Sequence, residues 1–167
     1  MCSFSTTKNN ELGFRIVEFK DRELLFHWRN IPEIIALSAD QKSVSWPEHV
    51  GWFENILTNE SILILIITYK GKSIGQIRLK KENDQTANIG IYLIPTEVGK
   101  KRGSYLISES VFFAKEKWPN IRYIKAEVRM ENKRSLKSFK SAGFKISHNG
   151  SVGNKYRIIS MVLEIEL

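Results

Sequence analysis

Apolar residues recur with two different periods along this chain. Up to residue 57 they follow the spacing of amphipathic helices after a short initial strand, and from residue 62 they run continuously or alternate, as in strands. The pattern predicts a strand at residues 14–17, helices at 21–30, 32–37 and 45–57, and strands at 62–69, 73–80 and 87–94. It then predicts a helix ending at 118, a strand at 123–130, a helix at 131–143, and strands at 144–147 and 155–166 joined by a turn at 148–154.

This order mixes helices and strands without the regular alternation of a doubly wound fold. We predict an α/β (α+β) domain with a mixed, mostly antiparallel sheet of about seven strands flanked by about four helices. The domain is expected to span residues 13–167. Residues 1–12 are polar and aperiodic, which predicts a flexible N-terminal tail.

Composition narrows the range of partners. The 167 residues carry a formal net charge of +8, which favours anionic ligands. No zinc-finger spacing and no basic run interleaved with aromatic residues is present, so we expect no nucleic-acid binding. The single cysteine, Cys2, allows neither an internal disulfide nor a Cys/His metal site. The apolar run at 62–67 is too short to cross a bilayer, and we expect a cytoplasmic protein without metal or membrane partner.

One stretch combines the features of an anion-binding site. The apolar strand at 87–94 leads through Pro95 into the turn V-G-K-K-R-G at 98–103, which opens a helix. Free N–H groups and the helix dipole at such a start attract anions. The residues predicted to hold a phosphate or pyrophosphate are Gly99, Lys100, Lys101, Arg102, Gly103 and Ser104. The alternative is an ordinary helix start with a solvated basic cluster.

Three motifs resemble those of the GNAT superfamily of acetyl-CoA-dependent N-acetyltransferases. They are I-G-Q-I-R-L at 74–79, A-N-I-G-I-Y-L-I-P-T-E-V-G-K-K-R-G at 87–103 and E-N-K-R-S-L-K-S-F-K-S-A-G-F at 131–144. In the last, Asn132, Ser135 and Gly143 fall at the spacing of the superfamily's N-x-x-S/A…G-F block. The segments W-R-N at 28–30 and H-x-x-W-F at 49–53 resemble a narrower branch. That branch includes ribosomal-protein N-acetyltransferases and enzymes that acetylate nucleotide-linked amino sugars.

The resemblance implies a GNAT-like domain that uses acetyl-CoA as co-substrate. The implied cofactor contacts are Leu93 and Ile94, where a strand splays from its neighbour, the turn at 99–104, and Asn132, Ser135, Phe139 and Lys140. The sequence departs from the superfamily pattern at three positions. Val98 replaces a polar residue, Lys101 replaces the central glycine of the turn, and Phe139 replaces a tyrosine that often protonates the departing thiolate.

Transfer to an amine requires a route for the amine proton and a pocket for the acceptor. The implied catalytic residues are Tyr92, Glu127 and Asn88, and Asn88 stands where related sequences often carry glutamate. An asparagine cannot take a proton, but it can hold a water that does. For Glu127 the alternative is a solvated residue on a strand face. The implied acceptor contacts are Trp28, Arg29, Asn30, His49 and Trp52, for which core packing is the alternative.

We therefore predict an N-acetyltransferase in which a primary amine attacks acetyl-CoA directly, since Cys2 in the tail is a poor candidate for a covalent nucleophile. The preferred acceptor is a nucleotide-linked amino sugar. The alternatives are N-terminal acetylation of proteins and a non-catalytic acyl-CoA-binding module. The oligomeric state is left open, with a homodimer as one alternative.

Overall fold

The computed structural model of the protein describes residues 11–38, 41–153 and 156–165, so most of the predicted N-terminal tail lies outside the described residues. Its α-helices are α1 (Arg22–Arg29), α2 (Pro32–Leu37), α3 (Trp46–Thr58), α4 (Gly103–Lys117) and α5 (Lys133–Ser141). Its strands are β1 (Leu12–Ile16), β2 (Ile62–Tyr69), β3 (Lys72–Lys81), β4 (Thr86–Leu93), β5 (Tyr123–Arg129), β6 (Lys145–Gly153) and β7 (Tyr156–Glu164). Short 3₁₀ turns occupy Phe19–Asp21 and Pro95–Glu97.

The seven strands form one mixed sheet in the order β1-β2-β3-β4-β5-β7-β6. Strands β4 and β5 run parallel, whereas β1 with β2, β5 with β7, and β6 with β7 run antiparallel. This confirms the predicted mixed, mostly antiparallel sheet. The described residues form five α-helices, which match the five helical segments predicted along the chain, including the short α2 that begins at Pro32 directly after α1.

The prediction for the last hairpin was partly wrong. The polar residues at 148–154 were predicted to form a turn, but β6 continues to Gly153 and pairs with β7 along its length. Antiparallel pairing with β7 satisfies the backbone of this segment in spite of its turn-forming composition. The pairing of β6 with β7 shifts register twice, between residues 146 and 148 and between residues 149 and 151.

Tertiary contacts group the chain into two compact units. The first comprises Met1–Ile77 with Tyr92–Val98, and the second comprises Arg78–Ile91 with Gly99–Leu167. In the first unit, α1, α2 and α3 bury residues of their apolar faces in a cluster with β2, with Leu25, Trp28 and Phe53 among its members. In the second unit, α4, α5 and alternate positions of β5 supply buried residues.

Asp21 stands at the N-cap position of α1 and is a residue type preferred there. Its carboxylate makes no cap hydrogen bond to α1, and the residue is 3% exposed. Both carboxylate oxygens accept hydrogen bonds from the Arg15 guanidinium at 2.7 Å, and one also accepts from the Glu18 N–H at 2.8 Å. Desolvation acts to raise the pKa of Asp21, but these hydrogen bonds outweigh it, and the pKa lies below its usual value. The pair fixes the chain between β1 and α1.

Candidate active site

The turn at 99–104 has the backbone of an anion-binding loop. Gly99 and Lys101 adopt positive φ angles of 86° and 57°, and Arg102 returns to the right-handed region. The first intrahelical bond of α4 runs from the Leu106 N–H to the Arg102 carbonyl, at 3.0 Å. The N–H groups at 103–105 therefore have no acceptor within the helix. When residues next to a helix start alternate between left-handed and right-handed backbone conformations, their N–H groups form a concavity that can bind a phosphate.

Lys101, at the position of the superfamily's central glycine, has the left-handed backbone that a glycine adopts without strain. A non-glycine residue with that conformation costs about 1–2 kcal/mol. The turn thus retains the glycine-type shape and gains a cationic side chain, and the cost is carried by the rest of the fold.

Replacing Lys101 with glycine should raise the free energy of unfolding by about 0.5–1 kcal/mol, because relief of backbone strain exceeds the added entropy of the unfolded chain. Urea denaturation measures this difference. Lys100→Gly is the matched control, since Lys100 has no positive φ and should only lose stability. Equal destabilisation by both substitutions would contradict the assignment of strain to Lys101.

Gly103 lies where α4 and α5 approach each other closely. A Cβ atom at this position would lie 2.6 Å from the Ser138 Oγ and 3.1 Å from the Ser138 Cβ, so a larger residue requires the Ser138 side chain to rotate away and its Cβ to shift. The glycine implied to contact a cofactor therefore also has a packing role that the sequence did not indicate. On the other helix, Asn132 caps α5 by accepting a hydrogen bond from the Ser135 N–H at 3.1 Å.

Phe139 is a core residue of the second unit. It is 3% exposed, and its ring packs edge-on against Phe144 with centroids 5.0 Å apart. No hydroxyl group stands at this position, so any proton donor for a leaving thiolate must come from elsewhere. The implied contacts of Phe139 and Lys140 with a cofactor stay predictions.

In the first unit, Tyr92 stands at the centre of a small polar cluster in an apolar setting. Its hydroxyl donates to the Gln76 Oε1 at 3.1 Å, and the Trp28 ring packs edge-on against it with centroids 6.3 Å apart. Burial raises the pKa of Tyr92 well above its usual range, against the opposing effect of the Arg29 charge. The phenol therefore stays protonated and serves as a hydrogen-bond donor rather than as a base.

Sequence reasoning missed Gln76, which is buried in β3. The available signal was a single amide between Gly75 and Ile77 in an otherwise apolar strand, because a buried polar side chain requires a partner. It also missed the close approach of β3 to β4. A Cβ at Gly75 would lie 2.4 Å from the Tyr92 carbonyl oxygen.

Strand β4 extends beyond its pairing with β5. The parallel ladder joins residues 86–88 of β4 to residues 123–125 of β5, and β4 continues past this ladder to Leu93. On the other side, the Ile94 N–H donates to the Ile74 carbonyl at 2.9 Å. Ile94 is therefore held by β3, and Leu93 is the last residue of β4. Their contact with a cofactor stays a prediction.

Two predicted catalytic residues have ordinary surroundings. The Asn88 side chain donates to the Glu82 carboxylate, which also lies 3.5 Å from the Lys125 Nζ. Its amide nitrogen is thus engaged, while its oxygen can still hold a water. Glu127 is an exposed residue of β5 opposite Ser160 of β7. The roles of Asn88 and Glu127 stay predictions.

Two of the predicted acceptor residues anchor the segment before α3. The Asn30 amide donates to the carbonyls of Phe26 and Val44 at 3.2 and 3.0 Å, and its oxygen accepts from the Val44 N–H at 2.8 Å. The Arg29 guanidinium donates to the Lys42 carbonyl at 3.1 Å. These contacts give Asn30 a structural role that the sequence did not indicate.

His49 lies in an aromatic cluster rather than at the surface. It is 2% exposed, and its Nε2 donates to the Arg22 carbonyl at 2.7 Å, which fixes the neutral tautomer. The rings around it are Phe26, Trp46, Trp52 and Phe53. The structure does bring His49 and Trp52 together, but the burial of His49 favours its packing role. Desolvation lowers the pKa of His49 below its usual value.

Acidification should therefore destabilise the protein. His49 is neutral in the fold, but in the unfolded chain it takes up a proton near pH 6.5. Its contribution to stability is complete above that pH and is lost as the pH falls from there toward the lowered pKa. Urea unfolding at pH 8, 7, 6 and 5 measures the loss. His49→Gln should reduce the pH dependence, and the exposed His27→Gln is the matched control, expected to leave it in place.

The described part of the chain lacks both a membrane-spanning helix and a metal-binding cluster. No helix in it is long and apolar enough to cross a membrane. No group of three or more His, Cys, Asp or Glu side chains in it is arranged to hold a metal ion.

The comparisons define the class of protein. Residues 26–144 match the model of the acetyltransferase (GNAT) family, and the chain belongs to that family. The structure superposes on spermidine N-acetyltransferase from Vibrio cholerae, solved with CoA and spermine, with a TM-score of 0.82 and 17% identity over 93% of this chain and 96% of that one. The predicted GNAT-like fold is confirmed.

Two curated relatives share part of the sequence. The chain is 25% identical over 134 residues to the acetyltransferase PseH of Campylobacter jejuni, covering 80% of this chain and 83% of PseH. It is 29% identical over 148 residues to MJ1062 of Methanocaldococcus jannaschii, covering 86% of this chain. The match spans only 30% of the length of MJ1062.

Proposed function

We propose that this protein is a cytoplasmic N-acetyltransferase that moves the acetyl group of acetyl-CoA to the primary amine of a nucleotide-linked amino sugar. The observation that carries the cofactor assignment is the turn at 99–104, whose positive φ angles and free helix N–H groups suit a phosphate although its sequence departs from the superfamily motif. W-R-N and H-x-x-W-F resemble a branch that contains both ribosomal-protein and amino-sugar N-acetyltransferases, and this resemblance supports the acceptor class.

The residues of the turn suit the pyrophosphate of coenzyme A. The N–H groups at 103–105 would bind the phosphate oxygens, and Lys100, Lys101 and Arg102 would balance their charge. The substrate supplies a thioester whose carbonyl carbon the amine attacks, with the thiolate of coenzyme A as leaving group. The chain must bind this substrate, stabilise the negative charge that develops and accept the amine proton.

Tyr92 is the donor we assign to the developing negative charge. A phenol carries one proton, so the hydroxyl would turn from the Gln76 Oε1, which accepts that proton in the free protein, toward the oxyanion, while Trp28 restricts the ring. Because the pKa of Tyr92 is raised, it stabilises charge by hydrogen bonding and does not transfer its proton to a thiolate. The amine proton leaves through water, for which Asn88 and Glu127 are the proposed contacts.

Charge favours an anionic acceptor over a polyamine. The net charge is +8, and Arg29 lies close enough to Tyr92 to affect its pKa. A spermine-like polycation would be repelled by such surroundings, whereas the phosphates of a nucleotide carrier would be attracted. We therefore assign Arg29 to the carrier phosphate.

Arg29→Ala should raise the KM for a nucleotide-linked amino sugar about tenfold and leave the affinity for acetyl-CoA unchanged. Steady-state kinetics with that substrate measures the effect. The matched control is the corresponding free amino sugar, which lacks the phosphates and should lose little. An equal rise in KM for both acceptors would show that the substitution acts by removing the hydrogen bond from Arg29 to the Lys42 carbonyl and not by removing a contact with the phosphate.

One observation supports a second function. Phe139 leaves the usual position of a proton donor without a hydroxyl group, as expected of a non-catalytic acyl-CoA-binding module. Calorimetric titration with acetyl-CoA, followed by an assay for free thiol with a mixture of amines, distinguishes the two. Binding without acceptor-dependent thiol release would favour the module. Faster turnover of N-terminal peptides than of any amino sugar would favour protein acetylation.

A further inference from the structure

A groove on one side of α5 combines an apolar floor with a basic rim. Its volume is about 510 Å³. Met130, Leu136 and Ile159 form the floor, and three lysines stand around it: Lys133, Lys137 and Lys140. We call this feature the α5 groove.

The α5 groove lies on a different face of the helix from the contact with α4. Ser138 faces Gly103, where the anion-binding turn ends. Successive residues of an α-helix are rotated by about 100°, so the three lysines at i, i+4 and i+7 form one stripe about 130° around the helix from Ser138. Lys140 belongs to this stripe as well, and its position on α5 favours the groove over the cofactor contact that the resemblance implied.

The charge of the α5 groove is not balanced by the protein. In the ranges that the structure describes, none of the three lysines forms an ion pair with a carboxylate. The first turn of α5 contains no acidic residue. Lys133 at that end opposes the helix dipole, whereas Lys140 in the last turn complements it, so the dipole does not explain the part of the stripe at the helix start. An anionic ligand would complete it.

We propose that the α5 groove binds a nucleoside diphosphate or triphosphate at a site separate from that of coenzyme A. The volume falls within the range of small-molecule sites. The floor offers a methionine thioether and two aliphatic side chains to a base or ribose. The lysines are spaced about 6 Å and 4.5 Å along the helix axis, which suits successive phosphates.

The test is a calorimetric titration of ADP into protein already saturated with coenzyme A. We expect ADP to bind, with an equivalent that persists in Arg29→Ala, the variant that weakens the proposed acceptor site. Lys137→Glu should weaken the affinity for ADP about tenfold or more, while the affinity for coenzyme A stays within about twofold of that of the native protein. Lys80→Glu is the matched control, because it makes the same change of charge at an exposed position of β3 and should affect neither ligand.

Three outcomes would overturn the proposal. Failure of ADP to bind the saturated protein would show that no separate site exists. Equal losses of ADP and coenzyme A affinity in Lys137→Glu would make the α5 groove a part of the cofactor site. Inorganic pyrophosphate binding as tightly as ADP would show that the floor contributes nothing. Since none of these measurements uses acetyl transfer, their failure is separable from a failure of the proposed activity.

Discussion

Gly75→Ala should lower the free energy of unfolding by about 1–3 kcal/mol, although it adds only one methyl group. The new Cβ would meet the Tyr92 carbonyl oxygen at 2.4 Å and the Leu93 Cα at 3.0 Å. Both are backbone atoms, and β3 cannot move away without breaking the hydrogen bond from Ile94 to Ile74. Urea denaturation measures the loss.

The matched control is Gly90→Ala in β4. A Cβ at Gly90 meets nothing within 4 Å, and alanine carries less backbone entropy than glycine in the unfolded chain. That variant should be neutral or slightly stabilising. Similar stabilities for the two variants would mean that the close approach of β3 and β4 is not a tight constraint.

Tyr92→Phe should lower kcat for acetyl transfer about 100-fold, which is the usual cost of losing one donor to a developing oxyanion. The KM for acetyl-CoA should change little, because the hydroxyl is assigned to charge that appears only in the transition state. Steady-state kinetics over a range of acetyl-CoA concentrations separates the two quantities.

Tyr69→Phe is the control for removal of a tyrosine hydroxyl elsewhere and should retain full activity. A second check uses pH. Because the pKa of Tyr92 is raised, the rate of the native enzyme should show no inflection from this group at neutral or mildly alkaline pH. Full activity of Tyr92→Phe would remove Tyr92 from the mechanism and shift attention to backbone donors.

Local signals in the sequence predicted the elements that depend on local physics. The basic turn was predictable because glycines, cationic residues and a helix start follow one another within six positions. The Asn132 cap was predictable for the same reason, since its acceptor and donor are three residues apart. The order of strands and helices followed from the change of hydrophobic period after residue 57.

Features that depend on distant partners were not predictable. Asp21 is a residue type common at helix N-caps, but its carboxylate accepts hydrogen bonds from the Arg15 guanidinium instead. Asn30 bonds to Val44, which no local pattern links to it. The residues at 148–153 are typical of a turn, but the segment forms a strand because its backbone pairs with β7. Likewise, the need for Gly103 comes from Ser138 on another helix.

Acceptor-dependent release of coenzyme A thiol tests the central claim most directly. The measurement follows free thiol while the native protein is mixed with acetyl-CoA and a panel of nucleotide-linked amino sugars, free amino sugars, polyamines and N-terminal peptides. The account predicts thiol release that requires a nucleotide-linked amino sugar and matches the acetylated product mole for mole. Thiol release with none of these amines, under conditions where acetyl-CoA binds, would contradict it.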